Sequence, residues 1–259
     1  MAQGAYRNCV GVFDSGVGGI SILKELVAEL PCEDFLYFGD SAHAPYGEKT
    51  PEEVLRLSRG ICDSLIEQGC KAIVVACNTA TSAAVDALRS DYPEIPIVGV
   101  EPALKPAVLA SEGGSVLVMA TPMTVRLEKF QHLLEVWGSN AEVVSVSCEG
   151  LAGRIEEGNL DADDVAELID SLVGEYAGKV DAVVLGCTHY PFVRHQIEAV
   201  LGDVEFFDSA HGTAKQLRRR LEETGLIETR ERTGAVSFQS SKTNPEELEL
   251  YRRMFEMSI

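Results

Sequence analysis

The sequence predicts an α/β fold with two similar α/β domains, each built on a mainly parallel sheet, related by pseudo-twofold symmetry and enclosing the functional site between them. Short apolar runs alternate with amphipathic stretches along the chain, which is typical of parallel strands joined by crossover helices. The segment Ala72–Cys77 aligns without a gap with Ala182–Cys187. Phe13–Ser15 aligns in the same way with Met119–Thr121, so the pattern indicates an internal duplication.

Eight strands are predicted from short runs rich in apolar residues. The first four are expected to be buried on both faces of a parallel sheet, and the pattern then repeats with four further candidates. They are Val10–Phe13, Phe35–Phe38, Ala72–Ala76, Pro96–Val100, Ser115–Ala120, Glu142–Val146, Val180–Leu185 and Val204–Phe207. The predicted helices are Ile20–Leu30, Pro51–Glu67, Ala80–Arg89, Val125–Trp137, Ala162–Tyr176, Val193–Leu201 and Thr213–Thr224. Outside the repeat lies a tail, Val236–Phe238 and then a helix with Asn244 as N-cap and Pro245 at its first position. We expect this tail to pack back on one half.

The composition indicates a globular protein and disfavours several partners. The chain has 259 residues, 46% of them hydrophobic and 24% charged, which is enough apolar content for a sizeable core. Its formal charge of −19 repels nucleic acids and anionic membranes. The first seven residues carry neither a hydrophobic signal core nor a lipidation motif, and the longest apolar runs are far shorter than the roughly 20 residues that span a bilayer. We therefore expect a cytoplasmic protein with no nucleic-acid or membrane partner.

Two of the seven cysteines stand at matching positions of the repeat. Cys77 and Cys187 each follow a predicted strand and precede hydroxyl or amide side chains and a helix. Ligands of parallel sheets bind beyond the carboxyl ends of the strands, and a helix N-terminus favours a thiolate. Two acid/base groups that face each other across one pocket suit the removal of a proton from one face of a carbon and its return to the other.

Other interpretations of these thiols remain open. A cysteine at a strand end is often a small buried hydrophobic residue, and this interpretation holds for the remaining five: Cys9, Cys32, Cys62, Cys70 and Cys148. The odd count and the absence of C-x-x-C disfavour a disulfide framework and a zinc knuckle. Zinc held by Cys77, Cys187 and His189 lacks a recognisable fourth ligand, so no metal is predicted.

Four blocks of the sequence resemble the cofactor-independent aspartate/glutamate racemase family, most closely its members that act on glutamate. The blocks are Gly11–Gly19, Tyr37–Asp40 with Ala44–Gly47, Ala76–Ala80 and Leu185–Pro191, and the resemblance runs from about Val10 to Thr224. It implies interconversion of L- and D-glutamate without any cofactor, supplying D-glutamate for peptidoglycan synthesis. It also implies that the tail completes the first half, so we expect domains at residues 1–98 with 208–259 and at 99–207. We further expect a homodimer.

The resemblance implies a role for each motif residue. Cys77 and Cys187 are the two acid/base residues, one per enantiomer, and Asp14 and His189 support proton transfer. The residues expected to hold the substrate are Asp14, Ser15, Tyr46, Gly47, Asn78, Thr79, Thr188 and His189. Thr121 joins them because its residue type suits a carboxylate. The segment Cys148–Glu156 departs from the family pattern, so Glu156 is either a site residue or a solvated charge at a helix end.

A comparison of free energies indicates which group such a site must stabilise most. A helix end and one neighbour are expected to lower a thiol pKa to about 7, which needs only about 2 kcal/mol. The remaining stabilisation must go to the enolate-like charge on the substrate carboxylate. A preference for aspartate, a non-catalytic ligand-binding module and a redox or metal protein remain the alternatives. Pyridoxal phosphate is disfavoured because no motif places a lysine at a strand end.

Overall fold

The computed structural model describes residues 8–259, which form two open sheets with every strand pair parallel. The strands are β1 (Val10–Asp14), β2 (Phe35–Gly39), β3 (Ala72–Val75), β4 (Ile97–Gly99), β5 (Ser115–Ala120), β6 (Glu142–Ser147), β7 (Ala182–Leu185), β8 (Glu205–Phe207) and β9 (Val236–Ser240). The first sheet has the order β4-β3-β1-β2-β9 and the second the order β6-β5-β7-β8. The predicted α/β class with parallel sheets is confirmed.

Helices connect these strands and cover the sheets. They are α1 (Ile20–Glu29), α2 (Pro51–Glu67), α3 (Asn78–Asp91), α4 (Leu104–Ala110), α5 (Pro122–Arg126), α6 (Glu128–Trp137), α7 (Leu151–Glu156), α8 (Asp163–Val173), α9 (Arg194–Leu201), α10 (Ala210–Glu223) and α11 (Pro245–Glu256). Local sequence explains several starts. At α2, for example, Pro51 occupies the first turn and the Thr50 side chain accepts a hydrogen bond from the Glu53 amide.

The predicted helix Val125–Trp137 is interrupted in the structure, so this prediction was wrong. The chain between Pro122 and Trp137 forms two helices instead of one, because Leu127 leaves the helical region with φ −77° and ψ 143°. The Gln131 side-chain amide donates to the carbonyl of Val125 at 2.7 Å, which satisfies an acceptor that the break leaves free. At the C-terminal helix, Asn244 occupies the N-cap position as predicted, but its side chain makes no capping hydrogen bond.

The two sheets repeat one topology. Strands β2-β1-β3-β4 of the first sheet correspond in order to β6-β5-β7-β8 of the second, as the duplicated sequence predicts. The tail adds β9 alongside β2 in parallel, with Val236 opposite Phe35 and Ser240 opposite Gly39. The tail therefore completes the first sheet. The residue boundaries of the two domains stay a prediction, and residues 1–7, which the predicted first domain includes, lie outside the described residues.

The core explains why the central strands were the easiest to predict. Every residue of β1, β3 and β7 is buried, and β5 has one half-buried residue at its start. Helices on both faces leave these strands no solvent-facing side, so they read as continuous apolar runs. Within residues 8–259, the helices are all too short or too polar to span a bilayer.

Candidate active site

The residues predicted for the site converge at the carboxyl ends of four strands, where parallel sheets bind ligands. Asp14 ends β1, Cys77 and Cys187 lie two residues beyond β3 and β7, and Thr121 directly follows β5. All eleven predicted site residues are buried: Asp14, Ser15, Tyr46, Gly47, Cys77, Asn78, Thr79, Thr121, Cys187, Thr188 and His189. The site is thus closed to bulk water in this structure, with 5% of Cys77 and 6% of Cys187 exposed.

Cys77 is the N-cap residue of α3. Its Sγ accepts a hydrogen bond from the Ala80 amide at 3.4 Å and lies 3.9 Å from Oγ of Ser15. Burial, together with the Asp14 carboxylate and the Cys187 sulfur, nevertheless raises the pKa of the Cys77 thiol well above its usual range. The expected lowering is therefore wrong for Cys77. A helix end supplies up to about 1 kcal/mol at an ordinary site, whereas full burial of an ionisable group shifts a pKa by several units.

Cys187 has a different partner. Its Sγ lies 3.5 Å from Nδ1 of His189, and Nε2 of the same ring lies 2.5 Å from Oε1 of Glu156. Burial opposes a charged imidazole, but the Cys187 sulfur and the Glu156 carboxylate outweigh it and raise the pKa of His189 well above its ordinary value. The imidazolium form of His189 is thus favoured between this sulfur and the Glu156 carboxylate.

Glu156 is not a solvated charge at a helix end, because it lies against His189. Its carboxylate is only 11% exposed, contacts His189 and accepts a hydrogen bond from the Val17 amide at 2.9 Å. Glu156 is the last residue of α7, and its partners lie 33 and 139 positions away in the chain. No local sequence pattern could have revealed these two contacts.

Asp14 lies between the two halves of the site. Its Oδ2 accepts hydrogen bonds from the amides of Gly19 at 2.9 Å and Gly16 at 3.3 Å, and Oγ1 of Thr188 donates to Oδ1 at 3.4 Å. Burial raises the pKa of Asp14, and the opposing effects of His189 and the two amides do not cancel it. A carboxyl group whose pKa lies above the usual range is a candidate proton carrier near neutrality.

The glycine-rich loop after β1 holds the two halves in contact. A Cβ at Gly18 would meet Nδ1 of His189 and would lie 2.6 Å from Oγ1 of Thr188, and a Cβ at Gly16 would meet the carboxylate of Glu156. The loop therefore passes too close to the second half for a side chain to fit. The Ser21 hydroxyl adds a direct link, because it donates to the carbonyl of Thr188 at 2.8 Å.

Three further predicted residues complete the site on its other side. Thr79 follows a strand of the first sheet and Thr121 follows a strand of the second sheet. Their hydroxyl oxygens lie 3.0 Å apart. A Cβ at Gly47 would lie 2.9 Å from Cβ of Thr121, so the loop that carries Gly47 packs tightly on the start of α5. Sequence reasoning did not identify a fourth member of this group, Thr124, whose hydroxyl lies 2.9 Å from that of Thr121. The spacing of the two threonines across the first turn of a helix was the available signal.

Tyr46 and Asn78 line the same site with different roles. The Tyr46 hydroxyl donates to Oδ2 of Asp40 at 2.6 Å, so this side chain is fixed by a residue that the sequence did not single out. Burial and the charges of Asp40 and Cys77 raise the pKa of Tyr46, which keeps it protonated. Oδ1 of Asn78 is buried without a hydrogen-bond partner among the described residues. An unsatisfied buried acceptor at the start of a helix is available to a ligand that carries a donor.

The fold and the site together define a class of protein. Two sheets of equal topology each present a buried thiol at an equivalent strand end, with an imidazole, a carboxyl group and hydroxyl donors against them. Thiols, an imidazole and a carboxyl group are side chains that can accept and donate protons, as the reaction of a racemase requires. The comparisons with known proteins agree with this class.

A model of the Asp/Glu/hydantoin racemase family matches residues 15–217. The chain belongs to this family and is an amino-acid racemase. It is 44% identical over 250 residues to the glutamate racemase of Clostridium perfringens, covering 96% of both chains. It is also 45% identical to that of Clostridium botulinum, covering 96% of this chain and 97% of the relative.

Solved structures show the same relationship. The glutamate racemase of Francisella tularensis in complex with D-glutamate superposes with a TM-score of 0.82 at 30% identity, covering 98% of this chain and 95% of that one. The Escherichia coli glutamate racemase in complex with L-glutamate and the activator UDP-MurNAc-ala gives a TM-score of 0.85 at 28% identity, covering 96% of each chain. The predicted resemblance and the predicted enzyme class are confirmed.

Proposed function

We propose that this racemase interconverts L- and D-glutamate without a cofactor, with Cys77 and Cys187 as the two acid/base residues. The observation that carries the proposal is the pair of buried thiols at equivalent strand ends, with the Cys77 sulfur 3.9 Å from Oγ of Ser15 and the Cys187 sulfur 3.5 Å from Nδ1 of His189. The sulfur of Cys187 contributes to the raised pKa of Cys77, so the two groups act on each other electrostatically. Glutamate as substrate is supported by curated relatives and by related structures that hold D- or L-glutamate.

The proposed reaction moves one proton in and one proton out. A thiolate on one side removes the Cα proton, so an S–H bond forms while the Cα–H bond breaks and the electron pair spreads onto the substrate carboxylate. The thiol on the opposite side then donates its proton to the other face of Cα and becomes a thiolate. The two sulfur atoms have exchanged protonation states, and the reverse reaction uses them in the opposite order.

The environments of the two thiols differ. The His189 imidazole lies 3.5 Å from the Cys187 sulfur, whereas Cys77 has a raised pKa, which favours its thiol form. With Cys77 as the proton donor at the start, the two-thiol reaction gives the first proton abstraction to Cys187. A substrate ammonium group adds a positive charge beside the buried carboxyl of Asp14 and lowers the cost of a thiolate on either side.

Most of the catalytic stabilisation must act on the substrate. A turnover of roughly 10 per second corresponds to a barrier of about 16 kcal/mol, so a thiolate base of pKa near 7 needs a substrate Cα–H pKa of about 19 or less in the site. Hydroxyl and amide donors of Ser15, Asn78, Thr79, Thr121 and Thr188 are suited to hold the carboxylate as negative charge develops on it. Because these donors are buried, their hydrogen bonds to that charge are stronger than in water.

The cellular setting is part of the same proposal. In this proposal the enzyme supplies D-glutamate for peptidoglycan synthesis. It is cytoplasmic and acts as a homodimer. In this proposal residues 1–98 with 208–259 form one domain and residues 99–207 the other, with the substrate between them. The course of β9 along β2 supports the assignment of the tail to the first domain.

Replacing each thiol in turn tests the proposal. We expect Cys77→Ala and Cys187→Ala each to abolish racemisation of both enantiomers, measured by chiral chromatography with L- or D-glutamate as substrate. Cys62→Ala is the matched control, because Cys62 is a buried cysteine of α2 whose raised pKa of about 12 makes it inert. Added pyridoxal phosphate or divalent metal is expected to change none of these rates. Full activity in either Cys77→Ala or Cys187→Ala would contradict the two-thiol mechanism.

Isotope incorporation distinguishes two bases from one. In deuterated water the product should carry deuterium at Cα while the remaining substrate stays protonated at early times, because each face of Cα meets its own thiol. Early labelling of both pools at equal rates would instead indicate a single exchanging base. The same assay with aspartate in place of glutamate tests the substrate preference.

A further inference from the structure

Three buried threonine hydroxyls form a closed cluster where the two halves meet. Oγ1 of Thr79 lies 3.0 Å from Oγ1 of Thr121 and 3.4 Å from Oγ1 of Thr124, and the last two are 2.9 Å apart. Thr79 stands in the first turn of α3, whereas Thr121 caps α5 and Thr124 follows one turn later. Thr124 is the most deeply buried of the three, with no exposed surface.

Counting hydrogens shows what the cluster can offer a ligand. Each hydroxyl has one hydrogen to donate, so three hydroxyl hydrogens serve the three oxygen–oxygen contacts of the cluster. The Thr124 amide also donates to Oγ1 of Thr121 at 3.4 Å. A bound carboxylate accepts hydrogen bonds and donates none. When Thr79 and Thr121 turn their hydrogens to such a ligand, the Thr124 hydroxyl is the only hydroxyl left to donate inside the cluster.

We propose that Thr124 is a positioning residue, whose hydroxyl donates to the oxygen of Thr121 or Thr79 and so leaves both of these free to donate to the substrate carboxylate. This inference rests on the proposed function, because it takes the carboxylate as the ligand. It assigns Thr124 a role without substrate contact. The hydroxyl of Thr124 also lies 3.4 Å from that of Thr79 and so joins α5 to α3, which makes the cluster one of the contacts between the halves.

Replacing Thr124 by valine removes the hydroxyl and keeps the side-chain shape. Thr124→Val lacks the third hydroxyl of the cluster. One of the hydroxyls of Thr79 and Thr121 then donates to the other instead of to the substrate. We expect kcat/KM for glutamate to fall roughly tenfold or more, with a raised KM, since a lost hydrogen bond to a charged group is worth about 1.5–3 kcal/mol. Thr124→Ser keeps the hydroxyl and should restore at least half of the wild-type kcat/KM.

Two controls separate this role from a structural one. Thr213→Val makes the same replacement at a buried threonine of α10, whose hydroxyl donates to the carbonyl of Ser209 at 2.7 Å, and should leave KM unchanged. Thermal unfolding with and without D-glutamate then reports whether Thr124→Val has lost ligand stabilisation while keeping its fold. If the valine variant does not fold, Thr124→Ala, which removes the hydroxyl without crowding, is measured in its place.

The outcomes distinguish the inference from the proposed function. A kcat/KM within twofold of wild type in Thr124→Val overturns the positioning role, and so does a serine variant as impaired as the valine variant, which would show that packing of the methyl group matters. A wild-type chain that does not racemise glutamate overturns the proposed function and the inference together. Loss of activity in valine with recovery in serine supports both.

Discussion

The two thiols of the site lie in unlike surroundings although they occupy equivalent positions of a repeat. Cys77 caps a long helix, and Cys187 is followed by a short 3-10 turn, Tyr190–Val193, with the His189 imidazole beside it. Burial dominates at Cys77 and raises its pKa, whereas the pair of His189 with Glu156 places a cation beside Cys187. The two equivalent strand ends thus present sulfur atoms with different neighbours, a helix N-terminus and Ser15 at Cys77 and an imidazole at Cys187.

Replacing Glu156 tests how the imidazole is tuned. In Glu156→Gln the amide can still contact His189, but the negative charge that raises the pKa of His189 is gone. We expect kcat to fall roughly tenfold or more, and its alkaline limb to move to lower pH, since the imidazolium beside Cys187 is lost earlier. Proton NMR titration of His189 gives the shift directly. An unchanged His189 titration would show that Glu156 does not set this pKa.

Glu156→Gln should also change how the free energy of unfolding depends on pH. His189 holds its proton more tightly in the folded chain than in the unfolded chain, so its contribution is complete below about pH 6.5, the ordinary value for histidine. The contribution is lost as the pH rises through the raised folded pKa. Wild-type unfolding free energy should therefore decline over that interval, and the decline should be smaller in Glu156→Gln. Chemical denaturation at a series of pH values measures both slopes.

At the scale of elements, the loop from Asp14 to Gly19 contacts the site residues of both halves. It follows β1, binds the Asp14 carboxylate through two of its own amides, and lies against Thr188 and His189 of the second half. The Tyr37 hydroxyl donates to the carbonyl of Gly16 at 2.6 Å and holds the loop from the β2 side. Glycine is required here because of the close approach between segments.

A methyl group at Gly18 should displace the second half of the site. Its Cβ would overlap Nδ1 of His189 and lie 2.6 Å from Oγ1 of Thr188, so Gly18→Ala must push these side chains away. We expect kcat/KM to fall about 100-fold, the typical cost of a displacement near 1 Å in a catalytic group. Gly60→Ala is the control, because a Cβ there meets nothing within 4 Å and alanine should stabilise α2 by about 0.5–1 kcal/mol. Equal kinetics for the two variants would contradict this account of the loop.

At the scale of the whole molecule, a buried ion pair between Lys71 and Glu33 holds the carboxylate that binds the C-terminal tail. Nζ of Lys71 lies 2.7 Å from Oε2 of Glu33, and the two side chains are 5% and 2% exposed. The other carboxylate oxygen of Glu33 accepts a hydrogen bond from the Glu228 amide at 2.7 Å, and Gly234 packs against the Glu33 backbone. The segment that leads into β9 is therefore fixed beside the start of β2.

Breaking this pair should cost far more than breaking a surface pair. In Lys71→Met the Glu33 carboxylate stays buried without its cation, so we expect a loss of about 3–5 kcal/mol in the free energy of unfolding. Arg252→Ala, which removes an exposed pair with Glu249 at 3.5 Å, should cost at most about 1 kcal/mol. Urea denaturation measures both. Similar losses in the two variants would show that the buried pair is no stronger than a surface contact.

The α/β class, the eight repeated strands, the duplication and the strand-end positions of the two thiols could all be predicted from the sequence. These features are encoded locally, because buried strands are apolar runs and because each thiol lies two residues beyond its strand. The break at Leu127 escaped prediction because helical periodicity continues on both sides of it. The predicted site residues came together largely as expected, since parallel strands deliver their carboxyl ends to one edge.

The contacts that set the pKa values of the site could not be predicted, because they depend on how the chain packs. The contact of Glu156 with His189, the threonine cluster of Thr79 with its two partners, and the raised pKa of Cys77 each depend on segments that are far apart in the chain. A pKa is set by total burial and by every nearby charge, neither of which is a property of local sequence. The pattern of residues therefore identifies the two strand-end thiols, and the packing around them sets the raised pKa values of Cys77 and His189.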